Sequence, residues 1–181
     1  FQDLTGNPSE VKQVTDGSAI EYDRTLPTLL SVRVLTSNEN DRLAKVGDTV
    51  QFLFESSELL LTQTLRTPGY EGRFNLTGAG TQWEASVTLE ENDPEGVLPF
   101  EFAFADLAGN IGITVSTTTD GSSVEFDQSP PTLNVVKLTT TNQSPDWAKS
   151  GDRVTLEVES TDALLTVVLK GENGEPDQTL S

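Results

Sequence analysis

The chain has 181 residues, 29 acidic against 11 basic side chains, a formal net charge of −18, and no His, Cys or Met. That balance lacks the Lys/Arg clusters that a phosphate backbone demands, so no nucleic acid partner is expected. The missing His and Cys remove Ser-His-Asp and Cys-His catalysis and the His/Cys metal sites. Paired carboxylates of the glycosidase kind remain, but so acidic a surface pairs them by chance, and the chain is read as not an enzyme.

An acidic surface suits solubility or divalent cations. Without Cys, the redox compartment is undetermined. No apolar run approaches the roughly 18 residues of a membrane span, so none is expected in this stretch.

The opening of the chain returns later. Asp3 matches Asp106, Gly6-Asn7 matches Gly109-Asn110, and Asp16-Gly17 matches Asp120-Gly121. Pro27-Thr28-Leu29 returns as Pro131-Thr132-Leu133, and Ala44-Lys45-Val46-Gly47-Asp48 as Ala148-Lys149-Ser150-Gly151-Asp152. Thr28 to Thr132 and Ala44 to Ala148 both give an offset of 104 residues. A fixed period sets the architecture, and one of this size without helical periodicity fits a β-sandwich domain. The expected division is the end of one repeat at 1–22, a complete repeat at 23–127, and the first half of a third at 128–181. The chain is thus expected to be a window on a longer array.

In chain order, Val11–Val14 and Ala19–Tyr22 are expected as short strand pieces around the turn Asp16-Gly17. Asp23 to Pro27 is a linker, held extended by its proline. Leu29–Leu35 opens the complete repeat. Ser37–Arg42 is a polar loop and Gly47-Asp48 a turn. Val50, Phe52 and Phe54 alternate with Gln51, Leu53 and Glu55, the pattern of a strand with one buried face. Leu59–Leu65 and a weaker Tyr70–Leu76 follow, then a loop at Gly78–Gly80. Trp83, Ala85, Val87 and Leu89 alternate, Glu90–Gly96 is an acidic loop, and Phe100, Phe102 and Phe104 alternate again. Asp106–Asn110 is a hairpin loop, and Ile111–Phe126 the bent last strand. Seven or so short strands with turns every 8–12 residues predict an all-β sandwich.

These residues carry a resemblance. The Asp106-Leu107-Ala108-Gly109-Asn110 hairpin, the Asp120-Gly121 turn running into Pro131-Thr132-Leu133, and the Ala44–Asp48 turn resemble the tandem bacterial-type immunoglobulin-like repeats of large extracellular proteins. The resemblance spans essentially the whole chain. It implies tandem immunoglobulin-like sandwiches in an elongated array, an extracellular or cell-surface location, and a role in adhesion or spacing, often with calcium-stiffened joints. Fold alone does not fix function.

In such a sandwich the chain enters at the end bearing the B–C, D–E and F–G loops. That places Asp23, Glu58, Asp106 and Asn110 at one pole, with Asp127 and Asp162 at the same pole of the next repeat. The opposite pole is expected to carry Glu90, Glu91 and Asp93 with the loop Asn38–Asp41. Calcium takes six to eight oxygens, and an acidic pole can supply them. The competing reading makes Asp106 a local cap of the tight Ala108-Gly109-Asn110 turn and Asp23 a solvated linker charge.

Asn75-Leu76-Thr77 and Asn142-Gln143-Ser144 are glycosylation sequons, so Asn75 and Asn142 are candidate glycan sites. Thr117–Thr119 and Thr139–Thr141 are read as strand residues rather than O-glycan sites. Trp83 and the Phe100, Phe102, Phe104 stripe read as core, and Trp147 as a lid on a sandwich end.

The expected function is structural: a segment of a surface filament, stalk or spacer whose partners are neighbouring repeats or copies of itself, end to end. The alternatives are the extender of an adhesin whose ligand-binding tip lies elsewhere, and an accessory module of a carbohydrate-active enzyme.

Overall fold

The computed structural model describes residues 1–10, 14, 16–164, 167–169 and 178–180. All regular structure among them is β. The described chain falls into two compact units, Phe1–Gln128 and Ser129–Ser181.

In the first unit, β1 (Leu29–Thr36), β3 (Thr49–Ser56), β6 (Gln82–Thr88) and β5 (Asn75–Ala79) form one antiparallel sheet in the order β1-β3-β6-β5. Facing it, β4 (Leu60–Arg66) pairs antiparallel with β8 (Glu101–Asp106). The chain then returns along the other side of β8 through bridges at Ile111 and Val115. A short third sheet joins β2 (Leu43–Ala44), β9 (Glu125–Phe126) and β7 (Gly96–Val97). In it β2 and β9 run parallel.

Alternation decides which faces meet. Val32, Val34, Val50, Phe52, Phe54 and Val87 from the first sheet are buried against Phe100, Phe102 and Phe104. The rings of Phe54 and Phe102 stack with centroids 4.1 Å apart and planes at 11°, and Phe52 lies 4.9 Å from Phe100. Such ring pairs contribute about 0.5–1.5 kcal/mol each beyond the area they bury. The packing is consistent with a β-sandwich.

The segment after β8 departs from the expected continuous strand. Its side chains bond the edge of β1 instead of its backbone forming a ladder. Thr119 Oγ1 accepts from the Val32 N–H at 3.0 Å, and Ser122 Oγ from the Val34 N–H at 3.0 Å. The Thr119 N–H returns a bond to the Val32 carbonyl at 2.9 Å. These contacts occupy groups that an edge strand would otherwise expose. Thr117–Thr119 are therefore loop, not strand.

Other differences are local. Ala19–Tyr22 is irregular rather than a strand, and residues 11–13 of the expected piece Val11–Val14 lie outside the described residues. The weak strand expected at Tyr70–Leu76 begins only at Asn75, because Thr67–Arg73 turns: the Tyr70 N–H bonds the Thr67 carbonyl and the Arg73 N–H that of Tyr70. Trp83 is half-buried against the core, its indole N–H donating to the Gly80 carbonyl at 3.3 Å.

In the second unit β10 (Leu133–Thr140) pairs antiparallel with β11 (Val154–Ser160), and β12 (Val167–Leu169) with β13 (Gln178–Leu180). The β10–β11 pair reproduces β1–β3 at the 104-residue offset, including a register shift between Leu133 and Val135 that copies the one between Leu29 and Ser31.

Candidate functional site

The turn after β8 is built by one aspartate. Asp106 Oδ1 accepts the Asn110 backbone N–H at 2.8 Å, and Oδ2 accepts the Asn110 carboxamide N–H at 2.8 Å. The Gly109 N–H closes the turn on the Asp106 carbonyl at 3.2 Å, with Gly109 at a φ of 89°, a conformation that favours glycine. Asp106 is only 1% exposed. Burial pushes its carboxyl up, but the bonds from Asn110, Ala108 and Gly109 outweigh it and hold the carboxyl below the ordinary carboxylate range. The capping reading of Asp106 therefore holds. The same turn stands at the start of the chain, where Asp3 accepts the Asn7 N–H at 2.9 Å and the Asn7 carboxamide at 2.8 Å.

Two further acids meet Asp106. Asp23, half-buried, caps its own linker by accepting the Thr25 N–H at 2.8 Å, and its carbonyl receives the Asn110 carboxamide at 3.5 Å. Glu58 follows β3, where the Ser56 hydroxyl donates to the Glu58 carbonyl at 2.6 Å. One carboxylate oxygen from each of Asp23, Glu58 and Asp106 lies within 4.8 Å of the others. Partial burial, then the charges of Asp23 and Asp106, push the Glu58 carboxyl above its ordinary value. No Lys or Arg pairs with these three acids among the described residues. Leu59, Leu107 and Ala108 line the same depression, with Glu21 at its rim.

The remaining candidates do not join this group. Asp127 is exposed at the end of the first unit. Asp162 is exposed in the second unit and accepts the Thr161 hydroxyl at 2.6 Å. Of the acids expected at the opposite pole, Asp93 is buried and ion-paired with Arg73, which also reaches Glu90 at 3.2 Å. It also accepts the Glu90 N–H at 2.7 Å. Asp93 is thus a structural knot, not a free cation ligand.

Asn75 is exposed on β5. Asn142 is half-buried, and its carboxamide nitrogen donates to Asp152 at 2.6 Å while its oxygen accepts the Ser144 N–H at 3.0 Å. Trp147, expected as a lid, is 74% exposed. No helix is long and apolar enough to cross a membrane among the described residues.

Compared with known protein families and with curated proteins, the chain matches none.

Two structural devices were not foreseen from the sequence. One is the Arg73–Asp93–Glu90 knot, whose partners are 20 residues apart and have no counterpart to compare. The other is a clasp in which Asp48 accepts from the Asn38 carboxamide at 2.7 Å, the Lys45 N–H at 2.9 Å and the Lys45 ammonium at 3.3 Å. Asp152 repeats it with Asn142 at 2.6 Å and with the Lys149 N–H and ammonium at 2.8 and 3.0 Å. The recurrence of Asn, Lys and Asp at the 104-residue offset was the signal for it.

Proposed function

We propose that this chain is a segment of a tandem immunoglobulin-like array on the outside of a cell, acting as the repeating body of a filament, stalk or spacer. The observation that carries this reading is recurrence of detail. Within each unit the same clasp, the same bulged strand pair and the same threonine contact return at one spacing. Thr28 and Thr132 both receive a side-chain oxygen on their N–H at 3.0 Å, from Ser57 and Thr161 respectively. A chain that copies its hydrogen bonds, not just its hydrophobic pattern, copies a domain.

The strand order supports the immunoglobulin-like reading. With β1, β3, β6 and β5 as A, B, E and D, and β4, β8 and the 111–126 segment as C, F and G, it is the ABED and CFG arrangement of constant-type domains.

The three carboxylates at the pole of the first unit support a calcium ion there. Their oxygens converge without a basic partner, and each retains lone pairs beyond those used in the turn. A bound cation would lock the linker residue Asp23 to the loops carrying Glu58 and Asp106.

Electron microscopy of the native assembly tests the proposal. Regular fibres, or strings of beads about one sandwich long, support it. Strings ending in a distinct head assign the chain to the extender of an adhesin. Isolated compact particles overturn the array.

A further inference from the structure

We infer that the outer face of the β1-β3-β6-β5 sheet binds a neutral oligosaccharide laid across the strands. The inference stands on the first unit alone and is independent of the array.

Alternation decides what this face carries. Val32, Phe52, Phe54 and Ala85 are buried in the core, so the residues between them point to solvent. Strand pairing lines those residues up in two rows. Arg33 lies opposite Leu53, Leu53 opposite Glu84, and Glu84 opposite Thr77. Beside that row, Ser31 lies opposite Glu55, and Glu55 opposite Gln82. Both rows line one depression of about 370 Å³. That lies within the usual ~300–1,000 Å³ of small-ligand sites.

The depression is open at one end. On the edge strand β5, Gly78 has no side chain and has no room for one: a Cβ there would lie 2.3 Å from the Gln82 carbonyl. Ala79 adds a single methyl. A chain ligand crossing the rows can therefore leave over the β5 edge.

The groups in the depression select the ligand. Leu53 is half-buried and forms an apolar floor. Arg33 supplies donors on one side of it, and Glu55 and Glu84 supply acceptors on the other. None of these three has an ion-pair partner among the described residues. The Gln51 carboxamide steadies Glu84 by donating to it at 3.1 Å.

An anion at Arg33 would meet two carboxylates in a chain of net charge −18. A cation at the glutamates would meet Arg33. An apolar chain would strip water from all of these groups and return no hydrogen bonds. A sugar hydroxyl both donates and accepts, so it satisfies the guanidinium and the carboxylates alike. Planar guanidinium and carboxylate groups also bond two neighbouring hydroxyls at once. Adjacent strands lie about 4.8 Å apart, so a ring seated on Leu53 has one edge within reach of Arg33 and the other within reach of Glu84.

Two-dimensional NMR of the whole chain, titrated separately with cellobiose, maltose and N,N′-diacetylchitobiose, tests the site. At least one of them should shift the amides of Arg33, Leu53, Glu55 and Glu84 to saturation. Arg33→Ala and Glu84→Ala should each weaken that binding about tenfold, the effect of losing one hydrogen bond to a charged group. Both side chains are exposed, so neither change opens the core. Thr64→Ala, exposed on the opposite sheet, should leave binding as it was. Silence with all three disaccharides, shifts centred elsewhere, or binding that survives both substitutions overturns the inference. Movement of these amides on raising the protein concentration alone also overturns it, because a second copy and not a sugar then covers the face. None of these outcomes bears on the array, which microscopy of the native assembly decides.

Discussion

The Asn38 carboxamide donates to Asp48 across 2.7 Å and so ties the loop after β1 to the turn before β3. Asp48 is only 8% exposed, so its partner cannot be replaced by water at no cost. Asn38→Ala should lower stability by about 1 kcal/mol, the usual net value of such a bond, and speed hydrogen exchange at the Lys45 amide. Asn142→Ala should speed exchange at Lys149 in the same way. Exchange measured by mass spectrometry at both amides checks the pair.

Acid should loosen the same clasp. Burial raises the Asp48 carboxyl, but the bonds from Asn38 and Lys45 outweigh it, and the net shift is downward. A carboxyl depressed in the folded state contributes stability above its unfolded value, and that contribution is lost as pH falls through the folded value. Glu58 has the opposite sign, since its raised carboxyl makes the ionised form a cost to the fold. Glu58→Gln should therefore raise the melting temperature at neutral pH, with the gain closing below the ordinary glutamate range. Melting curves across pH for the two chains measure both effects.

Calcium should raise the melting temperature of the native chain. Asp23→Asn combined with Glu58→Gln should abolish that rise while leaving the Asp106–Asn110 turn intact. A native chain whose melting point ignores calcium removes the cation from the pole.

A methyl group at Gly112 would sit 2.3 Å from the Phe104 ring, which is buried and stacked near Phe102. Gly112→Ala should destabilise by about 1–3 kcal/mol, the cost of forcing extra volume into a packed core. Urea denaturation gives the value; an unchanged midpoint would mean that the 111–115 segment does not close on β8.

Any N-linked glycan on native material is expected at Asn75, whose side chain is exposed, and not at Asn142, whose amide nitrogen is engaged by Asp152. An intact mass equal to that of the bare polypeptide removes both sites.

Alternation alone makes the core legible in the sequence: Val50, Phe52, Phe54, Phe100, Phe102 and Phe104 are where a period of two places them. Asp23, Glu58 and Asp106 could be grouped because loop order in a sandwich is fixed once its strands are counted. The closing segment was not legible. Nothing in Thr117–Ser123 says that two hydroxyls bond the β1 edge rather than lie along a ladder, because the bonds join residues 87 and 88 apart. Asp93 misled for the same kind of reason: its carboxylate looks free until Arg73 folds onto it.

The parallel pairing of β2 with β9 has a consequence under load. Leu43 lies opposite Glu125 and Ala44 opposite Phe126, so the pair joins residues near the two ends of the repeat. Tension applied through residues 27 and 127 draws these strands in opposite directions along their length. The Arg42–Glu125 and Ala44–Asp127 bonds lie across that direction and are sheared together instead of peeling one at a time. Separating this short strand pair along its length therefore requires both bonds to break together, so it resists extension of the first unit.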